Sequence, residues 1–268
     1  MASFREAELG GWSKRATSYD ELFVALTNQV IAPIIETLAP LDGTRALDVG
    51  CGPGHMAAAL AGKGAVVEGI DFAAAMVGKA RGNYPAITFR EADAEALPYD
   101  RGAFDRVACA FGVMHFGRPD VAIAEAFRVL RPGGRYAFTQ WGLDDDVLNI
   151  VGAAIAEHGA PVAGLPPAPP PRRFSDPVEC RRVLEATGFA QVLDQRVEVT
   201  WNAARPEALL DLIYAGAVRV AMVLEAQPSR QRERIHEAIL AAVRSRAVAN
   251  TFVIRRPVVL ASGVKPAN

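Results

Sequence analysis

The stretch Arg45-Ala46-Leu47-Asp48-Val49-Gly50-Cys51-Gly52-Pro53-Gly54-His55 decides the fold class. A short apolar strand runs into a turn with glycine at alternate positions, and a helical run, Met56 to Ala61, follows. Glycine is needed there because the backbone turns sharply and a ligand must approach without a Cβ in the way. The helix then offers its unpaired N–H groups to whatever lies over the turn. Such a site suits a nucleoside-bearing ligand.

The neighbouring residues narrow the ligand. The dinucleotide fingerprint is G-x-G-x-x-G, whereas this chain reads G-x-G-x-G with His55 where the third glycine would stand. Asp48 lies in the loop's own strand, where a pyrophosphate gains nothing from a carboxylate. An ammonium or sulfonium group would gain, because opposite charges attract strongly in a partly dry cleft. Twenty-one residues past Gly50, the strand Val66-Val67-Glu68-Gly69-Ile70 ends in Asp71, placed to accept hydrogen bonds from both ribose hydroxyls.

The pattern repeats in order. Phe89-Arg90-Glu91-Ala92-Asp93-Ala94 closes a third strand with a carboxylate suited to an adenine amino group. Phe104 to Phe111 is a fourth strand, and Leu130-Arg131-Pro132-Gly133-Gly134-Arg135-Tyr136-Ala137-Phe138 turns into a fifth. Through these five ordered motifs, over roughly residues 12 to 141, the chain resembles the class I S-adenosylmethionine-dependent methyltransferases. Its nearest likeness is the small-molecule branch of the ubiquinone and menaquinone biosynthesis enzymes.

The resemblance implies a doubly wound, Rossmann-like α/β fold. Its sheet would be mostly parallel and seven-stranded, with an antiparallel edge strand and a helical lid. It implies S-adenosylmethionine as cofactor and a methyl acceptor that is a small molecule. By position it assigns Gly50, Gly52 and Gly54 to backbone contact with the cofactor and Asp71 to the ribose. Phe72 and Met76 would flank the adenine, Asp93 and Ala94 would meet its amino edge, and Phe111 and Met114 would line the methyl-donor cleft. Plain core packing is the other reading of Phe72, Met76 and Met114.

Composition agrees with a soluble α/β enzyme. The chain has 268 residues, 51% hydrophobic and 22% charged, enough to bury a core. A formal net charge of −1 offers no basic field for nucleic acid. Three scattered cysteines, Cys51, Cys109 and Cys180, have no metal-ligand spacing and point to a reducing, cytoplasmic setting. The start, MASFREAELGGW, lacks the apolar core of a signal peptide, and no apolar run of membrane-spanning length is expected. Oligomeric state is left open.

Three segments follow from periodicity and spacing. Residues 1–40 read as an N-terminal helical cap: Leu22, Phe23, Leu26, Val30, Ile31, Ile34, Ile35 and Leu38 draw one apolar helical stripe over 20–39. In front of it, Trp12 to Asp20, with Tyr19, either covers the cofactor or packs on the sheet edge. Residues 41–205 and 250–268 form the cofactor-binding domain, with a helix over about 147–158 capped by one of Asp144, Asp145 and Asp146. A stiff proline loop spans 165–171, and strands are expected around 192–201 and 251–260. Roughly fifty residues separate those two strands, far more than a loop, so 206–249 is expected to be a structured substrate lid of two helices. Its apolar run contains Tyr214 and Arg219, read as acceptor contacts.

His115, just after the fourth strand, is the candidate general base, with a reference pKa suited to proton removal near neutrality. Capping or packing against the next helix is its alternative role. His55 either meets the cofactor's amino-acid end or simply begins the helix. The Asp144-Asp145-Asp146 run reads as a solvated helix cap rather than a metal site, because no carboxylate follows the fourth strand to complete one. The competing functions are a nicotinamide oxidoreductase, disfavoured by Asp48 and His55, and a fold relative that binds the cofactor without transferring methyl.

Overall fold

Five strands run parallel through the centre of the molecule: β1 (Arg45–Val49), β2 (Val66–Asp71), β3 (Thr88–Glu91), β4 (Phe104–Cys109) and β5 (Leu130–Trp141). Burial is complete along the central strand β4, whereas β3, at the sheet edge, buries only Phe89. The computed structural model describes residues 3–162, 164–248 and 251–267. The expected boundaries at 249 and 250, and the chain ends at 1, 2 and 268, lie outside the described residues.

Beyond β5, β10 (Val258–Val264) is antiparallel to β5 and also to β6 (Ala190–Val197), which closes that edge. The full order is β3-β2-β1-β4-β5-β10-β6. The fold class expected from the sequence is thus the one observed. Order reverses between β1 and β4, and in open α/β sheets ligands gather at the strand ends beside such a reversal.

Alternation along each strand feeds two apolar layers. One takes Ala46, Ala108 and Ala137 with α3 (Ile31–Leu38), α4 (His55–Ala61) and α7 (Asp146–His158). The other takes Leu47, Val107 and Phe138 with α6 (Pro119–Val129) and α8 (Pro177–Thr187). The α7 cap is Asp145, whose side chain accepts from Leu148 N at 2.9 Å.

The N-terminal segment is helical from Phe4 to Leu38. It comprises α1 (Phe4–Ser18), a π turn (Tyr19–Phe23), α2 (Val24–Thr27), a 3₁₀ turn (Asn28–Val30) and α3. Ser3 and Glu6 start α1 with a reciprocal capping box. The segment is 35 residues long, and by length and composition alone it is apolar enough to cross a membrane, which corrects the expectation that no run reaches that length. Its stripe of Phe23, Leu26, Val30, Ile34 and Leu38 is buried in the protein's own core. Leu22, read as part of that stripe, is exposed, because the wider π turn rotates it away.

The insertion differs most from expectation. Each predicted outer strand is two strands in different sheets. The chain leaves β6 to form β7 (Thr200–Ala203), which pairs with β9 (Thr251–Arg255) and, through it, β8 (Ala247–Val248). The two crossings are tied where Arg256 N donates to Val199 O at 2.8 Å. Between β7 and β8 lie three helices rather than two: α9 (Ala208–Gly216), α10 (Val218–Glu225) and α11 (Ser229–Arg244). Ala217, at φ −89° and ψ 70°, breaks the first pair.

These helices grip the N-terminal cap. A Cβ on Gly11 would fall 2.3 Å from Val218, and one on Gly216 would fall 2.4 Å from Phe23, so both glycines permit close crossing. Arg15 donates to Tyr214 O at 3.0 Å and to Glu225 at 2.7 Å.

Candidate active site

The glycine turn has the conformation its sequence demands. Gly50, Gly52 and Gly54 have φ of +69°, +51° and +92°, a region that side chains disfavour. Nothing lies within 4 Å of a Cβ placed on Gly52, so the turn is open where a ligand would approach. At Gly54 a Cβ would fall 2.8 Å from Phe89, so packing beneath the turn, not ligand access, requires that glycine.

Two adjoining clefts meet at this turn and share Tyr19, Gly50, Gly52, Ala110 and Phe111. The larger encloses about 710 Å³, part of it open to solvent, and runs along the ends of β2, β3 and β4. The candidate residues Asp71, Phe72, Met76, Asp93, Ala94, Phe111 and His115 all line it. The smaller, of about 410 Å³, passes over Asp48 and His55 and under Val24, Thr27, Asn28 and Ile31 of the cap.

Three carboxylates sit in distinct settings. Asp71 accepts from Gly52 N at 3.0 Å and Ala73 N at 2.9 Å, which fixes its carboxylate against the turn. Burial raises its pKa even so. Asp93 accepts from Glu95 N at 2.9 Å and meets Arg5 of α1 at 3.2 Å, so the cap reaches the edge assigned to adenine. Asp48 is 1% exposed: Oδ2 accepts from Ala57 N at 3.0 Å, and Oδ1 has no partner among the described residues. Burial pushes its pKa up to about 7, against the lowering effect of that hydrogen bond.

The Asp48 shift carries a pH dependence. With a folded pKa near 7 against an ordinary value of 3.8, the native state binds more protons than the unfolded chain in between. Stability therefore falls as pH rises through that window, and the loss is complete above it. Asp48→Asn removes the charge while keeping an acceptor for Ala57 N. We expect the ligand-free variant to match wild type near pH 4 and to gain about 2–4 kcal/mol by pH 8, read from urea melts at both pH values. Equal shifts at both would contradict the burial argument.

Aromatic rings wall the clefts. Phe111 holds a left-handed φ of 57°, rare for a bulky residue, and its N–H donates to Thr139 Oγ1 at 3.0 Å. Its ring stacks on Trp141 at 4.1 Å, and the buried Arg256 guanidinium lies 3.7 Å over that indole. Tyr19 stacks on Phe23 at 5.3 Å, and burial pushes its phenol up to about 12, so it stays protonated.

The two nearby histidines differ in availability. His55 begins α4 with both ring nitrogens engaged, by Tyr84 Oη at 2.6 Å and Asp20 at 2.7 Å. His115 uses only Nδ1, at 2.7 Å from Glu8 Oε2 of α1, with Trp12 edge-on at 4.9 Å. Among the described residues, Nε2 of His115 has no hydrogen-bond partner.

Three expected contacts are not on either cleft. Met114 packs against the apolar layer beneath the cap, since its short 3₁₀ turn faces it inward. Tyr214 bonds His236 Nε2 at 2.8 Å, and Arg219 donates to Pro166 O of the proline loop at 2.8 Å. Both belong to helices that brace α1 and the proline loop, so 206–248 contributes no wall to these clefts. Asp144 pairs with Arg196, Asp145 with Arg256, and Asp146 accepts from Arg255 N.

Sequence reasoning missed Arg5, Thr27 and Asn28. Arg5 and Asn28 are polar residues whose placement depends on the cap folding back, which no local signal records.

The comparisons with known proteins agree with this geometry. A profile described as a methyltransferase domain matches residues 47–138. The ubiquinone biosynthesis O-methyltransferase of Paracidovorax citrulli is 40% identical over 111 residues, 39% of this chain and 47% of that one. The chain thus spans about half that relative's length. The demethylmenaquinone methyltransferase of Deinococcus radiodurans is 34% identical over 164 residues, 54% of this chain and 67% of that one. Among solved structures, the YcgJ protein from Bacillus subtilis superposes with a TM-score of 0.61 at 19% identity, over 89% of this chain and 98% of that one, a likeness of fold. With glycine turn, strand-tip carboxylates and relatives in agreement, the chain belongs to the class I S-adenosylmethionine-dependent methyltransferases, in the branch that resembles the quinone-biosynthesis enzymes.

Proposed function

We propose that this chain transfers a methyl group from S-adenosylmethionine to oxygen, nitrogen or an activated carbon of a small hydrophobic or aromatic molecule. The observation that carries the reading is the buried Asp48 carboxylate, with an unpartnered oxygen beneath an open glycine turn. That chemistry favours a cationic ligand and disfavours the pyrophosphate of a dinucleotide.

The residues present fit the cofactor. Asp71 keeps acceptor capacity for ribose hydroxyls beyond its two backbone bonds. Phe72 and Met76 offer apolar surface for adenine, and Asp93 with Ala94 offers its polar edge. Asp48 faces the amino-acid and sulfonium side. When bound, S-adenosylmethionine supplies an electrophilic methyl on a positive leaving group. The protein's work is then to align the acceptor with that methyl and to exclude water.

Tyr19, Phe111 and the cap residues Val24, Thr27 and Ile31 form an apolar surface for an aromatic acceptor. Burial raises the Cys51 thiol well above its usual range, so a thiolate intermediate has no support. The names of the relatives bring ring-hydroxylated quinone precursors forward as acceptors. A small molecule in the cytoplasm, rather than nucleic acid or a membrane surface, fits the near-neutral charge and the three buried free thiols.

The test is transfer of labelled methyl from S-adenosylmethionine to 1,4-dihydroxynaphthalene and to catechol as probes. Labelled product with matching S-adenosylhomocysteine supports the proposal. Tight cofactor binding with no transfer to either probe or to a wider panel of phenols, amines and carbon acids favours the binding-only alternative.

A further inference from the structure

We propose that Glu8, on the N-terminal helix, is a positioning residue that makes His115 a base directed into the cleft, so that the base is complete only while α1 is docked. The inference rests on the methyl-transfer reading of the same site and goes beyond it in naming the device and the kind of acceptor it serves.

Glu8 is fully buried, and its Oε2 lies 2.7 Å from His115 Nδ1 while its Oε1 has no partner among the described residues. A buried carboxylate with so little compensation is costly unless the one bond it makes is strong. The strong arrangement has Nδ1–H donating to the carboxylate. It fixes the neutral imidazole with its lone pair on Nε2 and stabilises the imidazolium that forms when Nε2 takes a proton. Trp12, edge-on at 4.9 Å, holds the ring plane. His115 lines the larger cleft, which shares Tyr19, Gly50 and Phe111 with the smaller one. His55 offers no substitute, because Asp20 and Tyr84 occupy both of its nitrogens.

The device depends on α1. Arg5 on Asp93 fixes its start, and Arg15 on Glu225 and Tyr214 O fixes its end to the insertion. Withdrawal of α1 would remove Glu8 and Trp12 from His115 together. The other charged groups lining this cleft are Asp71 from β2, Arg5 from α1, and Asp93 and Glu95 after β3.

An acceptor that needs such a base carries its proton on the attacking atom, as in a phenolic hydroxyl or a carbon acid. That proton passes to His115 Nε2, the bond from the attacking atom to the methyl carbon forms, and the carbon–sulfur bond breaks to leave a neutral thioether.

Nitrogen-15 imidazole spectra test this without knowledge of the acceptor. With four histidines in the chain, His115→Gln identifies the His115 signals by their loss. In the full-length wild type, free and with S-adenosylhomocysteine, His115 should be the Nδ1–H tautomer when neutral. In the isosteric Glu8→Gln the neutral ring should lose that fixed preference and show both tautomers, with recovery in Glu8→Asp. A proton on Nε2 in the wild type overturns the proposal by itself, even should the variants fail to fold. An unchanged His115 tautomer ratio in folded Glu8→Gln overturns it as well. Failure to bind S-adenosylhomocysteine would overturn the methyl-transfer reading instead, and the free-protein spectra would still report on the pair.

Discussion

Asp145→Ala is expected to lower stability by about 3–5 kcal/mol, the largest effect of any single change considered. Asp145 is fully buried and caps α7 through one oxygen, while the other meets the buried Arg256 guanidinium at 2.8 Å. Removing the carboxylate leaves Arg256 charged, enclosed and without its counter-ion. Burial already depresses the Arg256 pKa, with Asp145 acting in the opposite direction. The damage should reach the clefts, since Arg256 lies on Trp141 and Trp141 on Phe111. Urea unfolding of the variant reads the loss, and a change below about 1 kcal/mol would refute the buried-pair assignment. Replacing both residues together, as Asp145→Asn with Arg256→Met, should recover much of it, because the isolated charge is then gone.

Asp71→Ala is expected to weaken S-adenosylhomocysteine binding by about 1.5–3 kcal/mol, roughly 10- to 150-fold. The carboxylate stands between the glycine turn and the start of α5 (Ala74–Asn83), and both oxygens are anchored by backbone N–H groups. The substitution also frees Gly52 N and Ala73 N, so a loss of stability of about 1–2 kcal/mol should accompany the binding effect. Asp71→Asn retains one acceptor and should fall between. Calorimetry on the folded variants separates the two contributions, and unchanged affinity would show that Asp71 serves only the turn.

The central sheet and the cleft at its strand ends were legible because their signals are local. Gly50 and Gly52 sit in a turn that few other residues can adopt, Asp71 ends the apolar strand β2, and Asp93 follows β3 by two residues. The alternating βα order then brings those strand ends together without further information. The outer strands were misread because Val199 carries no turn signature and the break signal at Pro257, next to Arg256, stands alone in an apolar run. A chain that switches sheets through extended backbone looks like one continuous strand.

Tyr214 and Arg219 were misplaced for a related reason. An apolar helical face shows that a helix is buried, not what buries it. Here the partners are α1, through Gly11, and the π turn, through Phe23. Glu8 was invisible on similar grounds: nothing near it in sequence indicates that α1 folds back more than a hundred residues away onto His115.

Titration calorimetry of the wild-type protein with S-adenosylhomocysteine and, separately, with NAD tests the central claim most directly. The account predicts stoichiometric binding of S-adenosylhomocysteine with release of protons near pH 6, as the ligand's ammonium group draws Asp48 into its ionised form, and little response to NAD. Tight NAD binding with no response to S-adenosylhomocysteine would contradict it.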